Sequence, residues 1–235
     1  NWFICFHARD GAYLESLFRK NEVNYNGYRD WDIKSSLSAI KYITSLNGYA
    51  IRMGAVVEKE LPNLENKKII DYACKYRTDF GDIYLPSKCK FFLGDGCGLN
   101  LIPKIFNKPV VWVNLIPLKY PPLTKEDIFI LKKIWSIPEN RLLTFQEIIN
   151  RGIVDYEFNE LYENDKLKII NNSSQEIEDV VKEMNERLDG TWITTKEDEE
   201  LQQKFKLLFD KNSHCYQFPS RIGAKFLREN KNLLE

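Results

Sequence analysis

The chain opens with an apolar run, Phe3–Phe6, that is followed within four positions by His7, Arg9 and Asp10. A run this short, bounded by charge and Gly11, predicts a strand buried on both faces, as in a parallel sheet. Its polar end then lies at the carboxyl edge of the sheet, where open α/β folds bind ligands. Arg9 carries a planar charged fork suited to phosphate, and His7 and Asp10 can move protons near neutral pH. The alternative is an Arg9–Asp10 ion pair with His7 bound to a backbone carbonyl. The cost of placing three such groups at the end of an apolar strand favours a catalytic or binding role.

Further short apolar runs alternate with helical spacing along the first half of the chain. Strands are predicted in Tyr49–Gly54, Ile69–Tyr72, Lys90–Leu93 and Pro109–Asn114. A helix is predicted over Ile33–Leu46, after a polar loop that runs from Arg19 to Asp32. This alternation predicts an α/β fold with a doubly wound, mainly parallel, Rossmann-like sheet.

The second half of the chain reads as a helical extension. We expect residues 1–115 to form a Rossmann-like core and residues 116–235 to pack on that same domain. The predicted helices are Lys125–Trp135, Phe145–Asn150, Ser174–Leu188, Lys196–Phe209 and Ala224–Leu234.

A glycine-rich turn follows the predicted fourth strand. Gly94, Gly96 and Gly98 alternate with Asp95 and Cys97, and a helix is predicted to begin at residue 99. Such a turn can present its amides and the positive end of the helix to an anion, most naturally a diphosphate. It is neither a P-loop nor a full dinucleotide fingerprint, and glycines in a turn can equally be required by geometry alone.

Four polar residues elsewhere are candidate substrate contacts. Arg29, Asp30 and Asp32 lie in the polar loop, where the carboxylates can bind sugar hydroxyls; Asp32 can equally cap the following helix. Arg52, at the end of the second strand, either points into the same crevice or stands at the sheet edge.

Composition limits the function classes. The 34 basic and 34 acidic residues give zero formal charge, so no overall field attracts nucleic acid. No stretch is long and apolar enough to span a bilayer, and no secretion signal is evident, which predicts a cytoplasmic protein. Five cysteines without CxxC spacing predict reduced thiols and no zinc site. Because a core strand begins almost at Asn1, we expect a preceding segment in the natural protein.

In order and spacing, these segments resemble a family of bacterial glycosyltransferases linked to surface carbohydrate synthesis. The segments that carry the resemblance are residues 5–10, 28–33, 51–54, 82–85, 89–94, 98–99 and 109–111, with Asn114, Leu143-Thr144-Phe145 and Glu147. More distantly the chain is similar to the donor half of two-domain (GT-B) enzymes of the fucosyltransferase type. Asp10 stands where those enzymes have a second arginine.

The resemblance implies transfer of a sugar from a nucleotide-diphosphate donor to a surface glycan or related acceptor. It also implies that the core of residues 1–115 binds the nucleotide sugar. It implies no cofactor and no metal, an acceptor domain preceding this chain, and peripheral membrane association only through such missing parts. His7, Arg9 and Asp10 are the catalytic candidates. The alternatives are a binding module without turnover and a transferase of another group, such as pyruvyl.

Metal independence also follows from the residues. Asp30 and Asp32 have the spacing of a carboxylate pair that holds a divalent ion against a diphosphate, but they lie in a polar loop. Two loop carboxylates make a poor octahedral site for magnesium. We therefore expect activity to persist in EDTA.

Overall fold

Seven parallel strands form the central sheet of the computed structural model, which describes residues 1–18, 24–213 and 215–235. The strands of the described residues are β1 Phe3–Phe6, β2 Tyr49–Arg52, β3 Ile69–Ile70, β4 Phe92–Gly94, β5 Val110–Leu115, β6 Ile128–Leu131, β7 Lys133–Ser136, β8 Arg141–Leu142, β9 Leu167–Ile170 and β10 Arg221–Ile222. In the central sheet the strand order is β3-β2-β1-β4-β5-β6-β10. The predicted parallel α/β sheet is confirmed, and residues on both sides of position 115 contribute strands to it.

The apolar strands are buried on both faces, as their sequences predict. In β1, Ile4 and Phe6 belong to the larger core on one face, whereas Cys5 belongs to a second core with Met53 and Phe92 on the other. This alternation follows from the two-residue period of a strand. A strand with both faces covered needs apolar residues at every position, which explains the uninterrupted run.

Helices cover both faces, so the sheet is doubly wound. Helices Leu37–Ser45 and Ser174–Asp189 pack against each other over the larger core. Tyr72–Lys75 and Asp79–Lys88 lie over the second core. The remaining α-helices are Ala12–Leu17, Leu101–Ile105, Phe145–Asn150, Asn159–Asn164, Lys196–Leu207 and Ala224–Glu229. The 3₁₀ helices are Asn24–Arg29, Ile33–Ser36, Gly98–Asn100, Ile153–Asp155 and Lys231–Leu234.

The prediction of a helix over Lys125–Trp135 is wrong, because this segment forms β6 and β7. Ile128–Leu131 is buried throughout and lies between β5 and β10 in the central sheet. A four-residue apolar run fits an interior strand as well as a buried helix, and periodicity does not separate the two. β7 then joins β8 and β9 in a small antiparallel sheet.

The predicted C-terminal helices are confirmed, and their ends have local causes. Ser173 and Glu176 form a capping box at the start of Ser174–Asp189, and Gly190 ends that helix with a φ of 70°. The last predicted helix is shorter than expected: it ends at Glu229, and the 3₁₀ turn Lys231–Leu234 follows. The first part of the predicted loop, residues 19–23, lies outside the described residues, and its later part includes the 3₁₀ helix Asn24–Arg29.

No helix built from the described ranges has both the length and the apolar character that crossing a bilayer requires.

Candidate functional site

The strand order reverses between β1 and β4. From β1 the chain proceeds outward through β2 and β3, then returns to β4 on the other side of β1. Connections that leave neighbouring strands in opposite directions open a crevice at their carboxyl ends, where ligands bind in such sheets. His7 and Arg9 follow β1, Gly54 follows β2, and Asp95 follows β4, so the sheet brings the sequence-predicted groups to this edge.

A cavity of about 630 Å³, which we call the switch cavity, lies at this point. Its wall includes His7, Arg9, Asp10, Arg29, Cys97 and Gly98. Arg77 and Asp82 also line it and form an ion pair of 2.9 Å. Six of the candidate residues, from three separate chain segments, thus share one cavity.

The His7 imidazole is fixed by neighbouring strands. Its backbone N–H donates to the Leu93 carbonyl at 2.9 Å, and its ring Nδ1 lies 3.1 Å from the Met53 carbonyl oxygen. A carbonyl only accepts, so Nδ1 carries the hydrogen and Nε2 keeps a lone pair. This tautomer is suited to accepting a proton at Nε2.

Arg9 lies in the wall of the switch cavity and also belongs to a buried polar cluster. Its guanidinium pairs with the Asp30 carboxylate, and its backbone N–H donates to Asp95 Oδ2 at 3.3 Å. The Trp31 indole also donates to Asp95 Oδ2, at 3.0 Å. Asp95, which follows β4, thus binds both Arg9 after β1 and Trp31. Because Asp95 is only 1% exposed, it supports the site from the interior.

Lys132 completes this cluster and was missed by the sequence reasoning. The side chain is 4% exposed, and its ammonium donates to the carbonyls of Tyr28 at 2.8 Å and Asp30 at 3.0 Å. Burial lowers the pKa of the Lys132 ammonium to about 8, against the attraction of the Asp95 and Asp30 carboxylates. The sequence does place a lysine directly after the apolar run of β6. Because that run was predicted to be helical, Lys132 was not predicted to lie at the sheet edge.

The Asp30 carboxyl is shifted towards neutrality. Burial raises its pKa to about 6, although the Arg9 guanidinium favours the charged form. Asp30 lies with Asp10, Asp32 and Arg52 on a neighbouring cavity of about 310 Å³, which we call the loop cavity. The structure therefore divides the predicted site residues between adjoining spaces.

Three of these residues have structural partners. Asp32 Oδ1 accepts from the Lys34 N–H at 2.9 Å and caps the helix Ile33–Ser36. Arg52 does not line the switch cavity, and it donates to the Lys59 carbonyl at 2.6 Å and to Asp71 at 3.4 Å. Asp10 accepts from two backbone N–H groups, those of Ala12 and Glu58, at 3.1 and 3.0 Å.

The glycine turn differs from the predicted anion site in two ways. The helix behind it, Leu101–Ile105, has five residues, so its dipole offers little to an anion. Within the described part of the chain, none of the turn's three glycines has a positive φ. Gly94 is needed for close packing, since a Cβ there would lie 2.5 Å from Asn100 Oδ1.

Gly98 leaves open space on the cavity wall. It is exposed and lines the switch cavity, and apart from its two chain neighbours no heavy atom of the described residues lies within 4 Å of a Cβ built there. A ligand can therefore approach the backbone closely at Gly98. A side chain introduced at Gly98 would occupy this space, so a substitution there tests whether the turn binds a ligand.

A second large cavity, about 670 Å³, lies at the carboxyl end of β5. We call it the aromatic cavity because Tyr28, Trp112, Tyr120 and Phe158 contribute to its wall. Arg29 lines both this cavity and the switch cavity, and a Cβ at Gly96 would lie 3.5 Å from an Arg29 terminal nitrogen. The Arg29 side chain therefore lies against the glycine turn, where the two cavities adjoin.

One group of side chains has the donor types of a metal site. Ligand atoms of His7, Asp95 and Cys97 lie within 4.8 Å of one another. Nitrogen, carboxylate oxygen and thiolate sulfur together suit zinc. Burial, and then the Asp95 carboxylate, raise the pKa of the Cys97 thiol, which keeps the thiol protonated. The sequence spacing gave no sign of this group, because His7 follows β1 whereas Asp95 and Cys97 follow β4.

Comparison of the chain with protein-family models, curated proteins and solved structures finds no match in any of the three.

Proposed function

We propose that the protein is a glycosyltransferase that moves a sugar from a nucleotide-diphosphate donor to a surface glycan or related acceptor. The observation that carries the proposal is the switch cavity, which lies where the strand order reverses and combines basic side chains with the bare backbone of Gly98. A diphosphate matches this combination, because guanidinium groups bind phosphate through paired donors and glycine allows close approach. The family resemblance of the sequence supports the same activity.

In this mechanism the acceptor hydroxyl attacks the anomeric carbon while the bond to the diphosphate breaks. The bonding electron pair leaves with the diphosphate, and the guanidinium groups of Arg9 and Arg29 stabilise the developing charge. His7 Nε2 accepts the hydroxyl proton, since its Nδ1 hydrogen is directed to the Met53 carbonyl. Asp10 is the second candidate base, but both of its carboxylate oxygens already accept hydrogen bonds from backbone N–H groups.

Thermal unfolding in the presence of GDP, UDP, CMP and TDP tests the donor site. A nucleotide at a hundred times its Kd stabilises the folded state by about 2.7 kcal/mol, which raises the Tm of a chain this long by roughly 5–10 °C. The same titration with Gly98→Val serves as the control for the switch cavity. A folded wild-type protein whose Tm none of the four raises argues against a donor site.

Product analysis then separates the remaining activities. Incubation with a panel of nucleotide sugars and glycan acceptors is expected to yield a glycosylated product. Nucleotide binding without product would support a binding module without turnover. Transfer of pyruvyl from a phosphorylated donor would support the other transferase class.

A further inference from the structure

We infer that the aromatic cavity binds the nucleobase of the donor, so that the donor lies across Arg29 with its sugar in the switch cavity. This inference rests on the proposed function, because it assigns the two ends of the same ligand. Its basis is the position of Arg29 between two cavities of similar size and different lining.

Arg29 has an unsatisfied donor. Its Nε is buried and, among the described residues, has no hydrogen-bond partner. A buried guanidinium nitrogen without an acceptor is costly, and an anion at this position would supply one. The guanidinium also lies beside Gly96, where a side chain would meet it. The diphosphate is therefore assigned to the end of the switch cavity that adjoins the aromatic cavity, where Arg29 lies.

The backbone on both sides of Arg29 is held in place. The Lys132 ammonium binds the carbonyls of Tyr28 and Asp30, the two neighbours of Arg29, and the Asn159 side chain accepts from the Tyr28 N–H at 2.8 Å. Such support preorganises a binding side chain. Lys132 is thus a positioning residue for Arg29.

The lining of the aromatic cavity selects the nucleobase over the sugar. Tyr120 and Phe158 are 54% and 49% exposed, and Leu101 and Leu123 are more exposed still. Large apolar side chains that remain exposed around a concave surface mark a binding site, and a planar base stacks on aromatic rings. The switch cavity, with His7, Asp10 and Arg77, offers the hydrogen-bonding groups that a sugar requires.

The experiment compares two ligands that differ by the nucleoside. The Kd values of pyrophosphate and of the nucleoside diphosphate that gives the largest thermal shift are measured by calorimetry. Wild-type protein is compared with Tyr120→Ala, Phe158→Ala and Arg29→Lys. Tyr76→Ala is the matched control, because Tyr76 is an exposed aromatic residue that lines none of the three cavities described above.

Tyr120→Ala and Phe158→Ala are each expected to weaken nucleoside diphosphate binding by roughly 5- to 150-fold, the usual effect of removing one stacking ring. Pyrophosphate binding should not change in those variants, whereas Arg29→Lys should weaken both ligands and Tyr76→Ala neither. Nucleoside diphosphate binding that survives both ring truncations overturns the inference and leaves the proposed function standing. No binding of either ligand by folded wild-type protein overturns both.

Discussion

Two glycines of the same turn give a direct test of whether the turn holds a ligand. A Cβ at Gly94 would lie 2.5 Å from Asn100 Oδ1, and the Asn100 amide donates to the Asp95 carbonyl. Gly94→Ala must displace Asn100 and break this buried bond, which costs about 1–3 kcal/mol and lowers Tm by roughly 2–12 °C. At Gly98 nothing in the described chain opposes a side chain, so Gly98→Val is expected to change the free energy of unfolding by less than about 0.5 kcal/mol.

Although Gly98→Val should leave stability unchanged, it should weaken nucleotide binding. If phosphate approaches the backbone there, the valine side chain occupies its place, and the loss of one contact of about 1.4 kcal/mol weakens binding tenfold. Thermal unfolding gives the stability of each variant, and calorimetric titration with the best nucleoside diphosphate gives its affinity. A stable Gly98→Val protein with wild-type affinity would refute the reasoning and reduce the turn to a connection between β4 and its helix.

Three further predictions concern the charged groups. Folded Lys132 releases its proton near pH 8, whereas the unfolded chain keeps this proton to about pH 10.5. Between these two pH values, the wild-type free energy of unfolding in chemical denaturation should therefore rise by about 3 kcal/mol relative to that of Lys132→Met. Parallel curves for the two proteins would contradict the burial argument. Arg9→Lys keeps the charge but loses the fork, so calorimetric nucleotide affinity should fall about tenfold in a folded protein, and an unchanged Kd would reject this role. Nucleotide binding should persist in EDTA, because Asp30 pairs with Arg9 and Asp32 caps a helix. If EDTA abolishes binding and magnesium restores it, both carboxylates are metal ligands. If only zinc restores binding, and does not do so in Cys97→Ser, the ion lies at Cys97.

Local sequence patterns were sufficient for much of the fold. β1, β2, β4 and β5 were predictable because strands covered on both faces must be apolar at successive positions. The start of Ser174–Asp189 was predictable because its cap is made by side chains within three residues of one another. The edge on which His7 and Arg9 lie followed from the parallel sheet, since all carboxyl ends then meet there.

Only the tertiary structure decided which side chains meet at that edge. The sequence could not decide whether Arg52 points into the crevice or stands at the sheet edge. In the fold, Arg52 forms an ion pair with Asp71 from another segment. Lys132 reaches the Tyr28 carbonyl across 104 residues, a contact that depends on β6 lying in the central sheet. Arg29 reaches the boundary of the two cavities because the nearby Trp31 binds Arg9 and Asp95, which follow β1 and β4. Apolar spacing determines which faces are buried, but contacts between distant segments depend on strand order and packing, which no local pattern records.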